Sequence, residues 1–356
     1  MVKAIVHELD LRKDYFRGGP TLDHISSPNT RSQINTVYFG GGTPSLLSRE
    51  ELAMILEATN KNFGLANVVE QTIECNPEDL SIQKLVLFKE LGFNRLSIGI
   101  QTFQDSILQY INRAHNASQA RNAVKWAKEV GFENITVDLI YALPNATAET
   151  LLRDIEETMQ LEIPHISAYC LTVEEKTVFG KWEKQKKLKN KDEDFEKAQY
   201  LLLTETLALN GYEQYEISNF SRGEKYSQHN SAYWFGHHYL GIGPGAHSFN
   251  GRERQWNISN NAEYIDKIGI NTLPMESELL SNADRINETL LTQLRTKWGV
   301  DLSKIKSDLS YDLSTQKAKE IALFLRNGWV KQQGTVLTLT IEGKLLGDKI
   351  VAELMV

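Results

Sequence analysis

The chain of 356 residues is poor in cysteine, carries no excess of positive charge and contains no long apolar run. Its two cysteines, Cys75 and Cys170, are far apart, which gives neither a disulfide framework nor a metal-ligand spacing and fits a reducing cytoplasm. The net charge of −7 argues against a general affinity for nucleic acid or anionic membranes. No stretch approaches the ~18 apolar residues of a membrane span. The sequence therefore predicts a cytoplasmic protein without nucleic-acid partners or direct membrane insertion.

The first half of the sequence alternates between apolar, β-rich runs and segments with helical spacing. Several helical segments begin at Ser or Thr in an N-cap position, and several end at Gly followed by Phe. This alternation, with continuous apolar strands, is typical of an α/β fold whose parallel sheet is covered by helices, either a barrel or an open doubly wound sheet. The predicted strands are 35–41, 70–77, 94–101, 134–144 and 165–173.

Two further parts follow this α/β region, which we place at residues 1–175. Residues 176–275 begin with a mixed-charge stretch, typical of a solvated helix and loop, and become rich in Gly, Tyr, Trp and His. Residues 276–356 contain helices and then a strand, a Gly turn, a second strand and a helix, a pattern that predicts a small α+β, winged-helix-like domain. The charges of this last part nearly cancel, so we do not expect it to bind DNA.

The glycine-rich segment "VYFGGGTPS" directly follows the first predicted strand. A strand that runs into such a loop suggests phosphate binding, but no Lys-Ser/Thr pair follows and the GxGxxG spacing is absent. The loop presents free backbone groups and the hydroxyl of Thr43, an arrangement that suits a small zwitterion. A tight turn without a ligand would explain the same residues.

Three other predicted strands end on polar residues, namely Glu74, Gln101 and Asp138. Ligands of parallel βα folds bind at the carboxyl ends of the strands. A lone carboxylate in an apolar strand is costly unless it is paired or bound. Three such residues, together with the glycine loop, therefore predict a binding site at this edge of the sheet.

Several motifs occur in an order and spacing that resemble the radical S-adenosylmethionine (SAM) proteins of the oxygen-independent coproporphyrinogen III oxidase group. The resemblance extends to the C-terminus and implies a partial (β/α)₆ barrel, with residues 276–356 as the HemN-type C-terminal domain. The motifs are "VYFGGGTPSLL", "IECNPE", "NRLSIGIQTF", "INRAHN", "VDLIYALPNAT" and "ISAYCLT".

The resemblance also implies which residues bind SAM. The glycine loop would hold the methionyl end, carboxylates suit the ammonium and the ribose hydroxyls, and a guanidinium can fork onto the carboxylate of the ligand. The implied SAM-binding residues are Gly41, Gly42, Thr43, Glu74, Gln101, Arg113 and Asp138.

Relatives in this superfamily bind a [4Fe–4S] cluster through a pattern resembling "YIHIPFC-x3-C-x2-C" at the end of the first barrel strand. No such pattern occurs here, and Cys75 and Cys170 fall on different predicted strands. We therefore expect that this chain has no metal ligands for the cluster, cannot cleave SAM reductively and lacks the first barrel strand. A truncated record of a longer protein is the favoured explanation, with a naturally clusterless protein as the alternative.

The segment "HNSAYW" matches the HNxxYW signature of the heme chaperones of the HemW type, one of two subfamilies in this group. His229, Tyr233 and Trp234 are the implied heme residues, because an imidazole can ligate iron and aromatic rings can lie against the macrocycle. Packing of this segment onto the barrel would account for the same three residues. His237, His238 and His247 are further candidates.

The resemblance implies a heme chaperone that binds heme and SAM and delivers heme to acceptor proteins, among them membrane-bound respiratory enzymes. An oxygen-independent coproporphyrinogen III oxidase of porphyrin biosynthesis is the alternative, and a clusterless barrel that only binds or assembles is a third possibility. Enzymatic activity is left open, because the family is catalytic whereas this chain lacks the cluster cysteines.

Overall fold

The computed structural model describes residues 1–17, 34–171 and 193–356. The chain forms two compact units. The first unit consists of residues 1–37, 47–70 and 227–356, and the second consists of residues 38–46 and 71–226.

Both units contain helices and strands. The helices of the described residues are α1 (Val2–Leu11), α2 (Arg49–Phe63), α3 (Ile82–Glu90), α4 (Asp105–Tyr110), α5 (Ala117–Glu129), α6 (Ala148–Gln160), α7 (Glu193–Leu209), α8 (Gln228–Trp234), α9 (Asn261–Gly269), α10 (Asn282–Gln293), α11 (Leu302–Leu309), α12 (Leu313–Gln316), α13 (Ala318–Arg326), α14 (Ile341–Leu345) and α15 (Gly347–Leu354). The strands are β1 (Thr36–Phe39), β2 (Glu70–Cys75), β3 (Arg95–Gln101), β4 (Asn134–Tyr141), β5 (His165–Cys170), β6 (Glu213–Gln214), β7 (Asn219–Ser221), β8 (His247–Phe249), β9 (Glu253–Asn257), β10 (Met275–Leu279), β11 (Val300–Asp301), β12 (Val330–Gln333) and β13 (Val336–Leu339).

The second unit contains most of a seven-stranded sheet with the order β1-β2-β3-β4-β5-β7-β6. The first residues of β1, Thr36 and Val37, and the first residue of β2, Glu70, belong to the first unit. Strands β2 to β5 pair in parallel. Every residue of the central strand β3 is buried, including the polar residues Arg95, Ser97 and Gln101, which agrees with a parallel sheet covered by helices. The α/β prediction with a parallel sheet is confirmed.

Beyond β5, the sheet of the described residues does not continue with another parallel strand. Strand β7 pairs antiparallel with β5, and β6 pairs antiparallel with β7. The connection between β6 and β7 is short, and two strands joined so closely pair antiparallel, because a parallel pair needs a crossover of a dozen or more residues. Alternation of apolar runs alone did not reveal this change of direction.

Three of the predicted helices begin at a Ser or Thr cap, as expected, and a fourth begins at Asn116. The hydroxyls of Ser48, Ser81 and Thr147 and the side chain of Asn116 each accept a backbone N–H in the first turn of α2, α3, α6 and α5, respectively. Three of these caps are reciprocal, since the side chain three residues on also accepts the N–H of the cap. Such caps satisfy donors that would otherwise lack partners, which fixes where each helix starts.

In the first unit, α1 contacts α2 and α9, and it carries a buried carboxylate. Glu8 is fully buried and accepts hydrogen bonds from the Tyr264 hydroxyl (2.5 Å), the Asn257 amide (2.8 Å) and the Gly243 N–H (2.8 Å). Arg12 lies 3.3 Å from the same carboxylate. These partners compensate the burial of the Glu8 charge, and they attach the N-terminal helix to the loop at Gly243.

The C-terminal part of the first unit has its own apolar core, formed by α10 to α15 and a three-stranded sheet of order β11-β13-β12. A helix, a short strand, further helices and a two-stranded hairpin follow one another, which is the order of a winged-helix unit. Strand β10, which contains the predicted boundary at residue 276, pairs antiparallel with β9. The boundary predicted at residues 175 and 176 lies outside the described residues.

No helix in the part of the chain that the structure describes is long and apolar enough to cross a membrane.

Candidate functional site

The glycine loop after β1 is joined to Glu74 of β2. The N–H of Gly41 donates to Oε2 of Glu74 (3.0 Å), and the hydroxyl of Tyr38 donates to Oε1 (2.8 Å). Gly41 and Gly42 are exposed, with φ angles of 76° and 69° in the left-handed region that favours glycine. Thr43 ends the loop and precedes a short 3-10 turn. The strand end therefore presents backbone groups beside a carboxylate whose position is fixed.

The end of β3 brings Gln101 and Arg113 together. The register between β3 and β4 shifts between Ile98 and Gln101, and Gln101 has a φ of 71°, so the strand turns sharply at this residue. The Arg113 guanidinium donates to the Gly99 carbonyl at 3.4 Å. The Nε atom of Arg113 is buried and has no hydrogen-bond partner among the described residues. A buried donor without a partner fits a site that expects an anionic ligand group.

Asp138 lies on β4 within hydrogen-bond distance of Ser97, whose hydroxyl is 3.4 Å from both carboxylate oxygens. Burial, and then the neighbouring charge of Glu74, raises the pKa of Asp138 to about 7. Arg113 opposes this rise by favouring the ionised form. A cationic ligand group beside Asp138 would stabilise the carboxylate in the same way.

The predicted SAM-binding residues thus form one group at the carboxyl ends of β1 to β4. Two carboxylates, one guanidinium and a glycine loop match the ammonium and carboxylate of an amino acid. Sequence reasoning missed Tyr38 and Ser97, which hold the two carboxylates, and Gly99. A Cβ atom on Gly99 would lie 2.9 Å from Nε2 of Gln101 and 3.2 Å from the Arg113 guanidinium. Any residue other than glycine would therefore displace these two side chains. No local pattern marks Tyr38 or Ser97 in the sequence, because each gains its role from a carboxylate on another strand.

The cysteines do not fit a [4Fe–4S] cluster. Cys75 is buried, its thiol lies 3.7 Å from the Ile73 carbonyl, and burial raises its pKa well above the usual range, which opposes the thiolate that iron requires. Cys170 ends a different strand. Among residues 1–17, 34–171 and 193–356, no three His, Cys, Asp or Glu side chains are grouped as metal ligands. Cys75 is therefore part of the packing of the sheet.

The HNxxYW segment forms helix α8 in the first unit. His229 and Tyr233 lie one turn apart on one face, with Nε2 of His229 3.2 Å from the Tyr233 hydroxyl. Nδ1 of His229 lies 2.8 Å from the hydroxyl of Thr36. Burial lowers the pKa of His229 to about 4, so the imidazole is neutral at neutral pH. The indole N–H of Trp234 is buried and has no hydrogen-bond partner in the described part of the chain.

The three other candidate histidines have different environments. His237 and His238 are exposed in the turn after α8, and burial lowers the pKa of His238. His247 is exposed on β8, with its ring centroid 6.3 Å from that of Trp256. A neutral imidazole is what an iron ligand requires, and His229 also has an aromatic neighbour on the same helix face.

Known proteins resemble this chain in sequence over most of its length. Residues 28–158 match the model of the radical SAM superfamily, and residues 280–346 match the HemN C-terminal domain. The heme chaperone HemW of Bacillus subtilis is 32% identical over 358 residues, covering 97% of this chain and 94% of that protein. HemW of Lactococcus lactis is 33% identical and covers 97% and 93%, respectively.

A solved structure, coproporphyrinogen III oxidase (HemN) of Escherichia coli, described as a radical SAM enzyme, has a TM-score of 0.79 to this chain. The match covers 99% of this chain and 82% of that structure at 22% identity, which supports the fold alone. The identity and coverage of the HemW relatives decide the family. This chain belongs to the HemW family of heme chaperones within the radical SAM superfamily.

Proposed function

We propose that this chain binds heme at helix α8, binds SAM at the strand ends of the second unit and passes heme to acceptor proteins. The observation that carries the proposal is the environment of His229 beside Tyr233 and Trp234, in a chain that belongs to the HemW family. The likeness to coproporphyrinogen III oxidase lies in the fold, so we do not extend decarboxylation to this chain.

At the proposed heme site, His229 would ligate the iron, and Tyr233 and Trp234 would contact the macrocycle. Heme supplies an iron that accepts a nitrogen lone pair and a flat ring that packs against aromatic side chains. His229 meets the first requirement, because its low pKa keeps the imidazole unprotonated at one nitrogen. Tyr233 is partly exposed, at 37%, so it offers ring surface to a ligand.

At the SAM site, each charged residue meets an opposite or polar group of the amino-acid end of the ligand. Glu74 and Asp138 face the ammonium and hydroxyl groups, and Arg113 forks onto the carboxylate. Gly41, Gly42 and Thr43 allow close approach of the backbone, and Gln101 supplies amide hydrogen bonds. The carboxylates already have their supports in place, which lowers the cost of ordering them when the ligand binds.

The acceptors are heme-dependent proteins, and the resemblance points to membrane-bound respiratory enzymes. A chaperone must hold heme firmly enough to carry it and loosely enough to release it. A single histidine at a partly exposed helix suits such exchangeable binding better than an enclosed pocket does.

A heme titration tests the heme site. We expect the Soret band of added heme to shift on binding to the wild-type chain, and we expect His229→Ala to abolish or alter the shift. His7→Ala is the matched control, because it removes a histidine of the same unit that lies on α1 and contacts Asn271. Equal spectra for the wild type and His229→Ala would contradict the proposed heme site. Transfer of bound heme to an apo-globin then measures whether binding is exchangeable.

A further inference from the structure

Helix α8 is held at its start by a carboxylate from a distant part of the chain. Glu70, the first residue of β2, is buried, and its oxygens accept the N–H groups of Gln228 and His229, both at 2.9 Å. The hydroxyl of Ser227 lies 3.4 Å from the same carboxylate. Ser227 also caps the helix locally by accepting the N–H of Asn230. Ser227 satisfies one of the N–H groups that the first turn leaves without partners, and Glu70 satisfies two more while tying α8 to the start of β2.

The ring of His229 is oriented by a second strand residue. The hydroxyl of Thr36, the first residue of β1, lies 2.8 Å from Nδ1. Next to it, the N–H of Val69 donates to the carbonyl of Asn35 (2.8 Å), so the two strand starts are themselves joined. The backbone of His229 and its imidazole are therefore each fixed by one of two adjoining strand residues.

This arrangement selects the nitrogen that can bind iron. A neutral imidazole carries one N–H, and a hydroxyl can accept it. When Thr36 accepts the proton of Nδ1, the lone pair lies on Nε2, toward the side of Tyr233. Metal-bound histidines generally donate their other ring N–H to such a partner, which fixes both the tautomer and the ring orientation.

We infer that Thr36 and Glu70 are the positioning residues of the heme site: Glu70 places the backbone of His229, and Thr36 directs Nε2 toward the iron. This inference rests on the proposed function. Neither residue belongs to the HNxxYW signature, and they lie 193 and 158 residues from their partners.

Thr36→Val and Thr36→Ser form the central test, because valine keeps the shape of the side chain without the hydroxyl and serine restores the hydroxyl. We expect Thr36→Val to weaken heme binding roughly tenfold to a hundredfold, which is the usual effect of removing such a partner. The Soret and electron paramagnetic resonance spectra of bound ferric heme should change as well. Thr36→Ser should return affinity and spectra toward the wild type.

Two further variants complete the design. Thr292→Val removes a hydroxyl that donates to a helix carbonyl in the same unit, and it should leave heme binding unchanged. Glu70→Gln keeps an acceptor but removes the charge, so it should weaken heme binding with a smaller spectral change than Thr36→Val. In the background of His229→Ala, Thr36→Val should cause no additional loss, because the residue acts through His229.

The outcomes separate the two proposals. If the wild type does not bind heme, or if His229→Ala binds like the wild type, the proposed heme site fails and the inference fails with it. If His229→Ala loses binding while Thr36→Val behaves like Thr292→Val, the heme site stands and the positioning role of Thr36 is wrong. Thermal unfolding of all variants identifies any loss that arises from misfolding.

Discussion

Gly99→Ala tests the geometry of the SAM site through a single methyl group. The added Cβ would lie 2.9 Å from Nε2 of Gln101 and 3.2 Å from the Arg113 guanidinium, and both distances are shorter than an ordinary van der Waals contact. Gly99 does not adopt a left-handed φ, so alanine imposes no backbone strain there. The two neighbours are the ends of flexible side chains, which can move away by a few tenths of an ångström.

The expected effect is therefore a loss of binding without a large loss of stability. A hydrogen bond to a charged group contributes about 1.5–3 kcal/mol. Losing the fork between Arg113 and the ligand carboxylate should then weaken SAM binding roughly tenfold to a hundredfold, since about 1.4 kcal/mol corresponds to a factor of ten. The free energy of unfolding should fall by about 1 kcal/mol or less, at the low end of overpacking.

Isothermal titration with SAM measures the affinity, and thermal unfolding measures the stability. Gly131→Ala is the matched control: Gly131 has a φ of 90°, and a Cβ there would meet nothing within 4 Å. It should lower stability by about 1 kcal/mol through backbone strain while leaving SAM affinity unchanged. Equal affinity of Gly99→Ala and the wild type would refute our placement of Gln101 and Arg113 in the site. Equal losses for both variants would show that the effect is one of folding.

Three more predictions follow from other contacts. The pKa of Asp138 is raised from an ordinary value of 3.8 to about 7. Between these two values the folded chain holds a proton that the unfolded chain has lost. The contribution of Asp138 to stability therefore falls as the pH rises through this range. Asp138→Asn should therefore raise the melting temperature at pH 8 relative to the wild type, and a lower melting temperature would contradict this. In the wild type, ionisation of Asp138 between pH 6 and 8 should strengthen its attraction for the ammonium of SAM, so the affinity should rise over this range, and Asp138→Asn should abolish that rise. Tyr233→Phe keeps the ring but removes the hydroxyl that contacts Nε2 of His229. Heme should then bind about twofold to tenfold more tightly, which corresponds to the net free energy of one hydrogen bond. Weaker binding would mean that the hydroxyl contacts heme. His115→Gln removes a buried ring that lies 3.1 Å from Glu78 and 3.0 Å from the Ile100 carbonyl. It should loosen the segment that carries Arg113 and so weaken SAM binding. An unchanged SAM affinity would show that His115 does not hold Arg113 in place.

Local patterns predicted the parts of the fold that depend on neighbouring residues. The caps at Ser48, Ser81 and Thr147 could be read from the sequence, because a cap and its donor are two or three residues apart. Glu74 and Asp138 stood out for a similar reason, since a carboxylate in an apolar strand is unusual, although Asp138 lies within β4 and not at its end. The antiparallel β7 was not found, because the pairing direction depends on a partner strand more than 50 residues earlier in the chain.

In the candidate site, too, contacts between residues far apart in the chain could not be predicted from the sequence. The residues that would touch a ligand stand in recognisable motifs, whereas the residues that hold them do not. Tyr38 appears as an ordinary strand aromatic and Thr36 as an ordinary strand threonine, and each gains its role from one distant side chain. Glu70 resembles a solvated charge at the start of a strand, but it is buried against the backbone of α8. Pairwise contacts of this kind leave no periodicity or spacing from which they could be predicted.

The residues proposed to bind SAM do not depend on the two cysteines. The groups that would hold the amino-acid end of SAM depend on oxygen and nitrogen contacts: Glu74 on Gly41 and Tyr38, and Arg113 on the Gly99 carbonyl. None of these contacts involves a thiol. Cleavage needs a cluster, and the two cysteines of this sequence do not supply three thiolate ligands. The chain as it stands should therefore bind SAM and return it chemically unchanged after anaerobic incubation with a reductant, so heme binding can be measured without any contribution from cleavage.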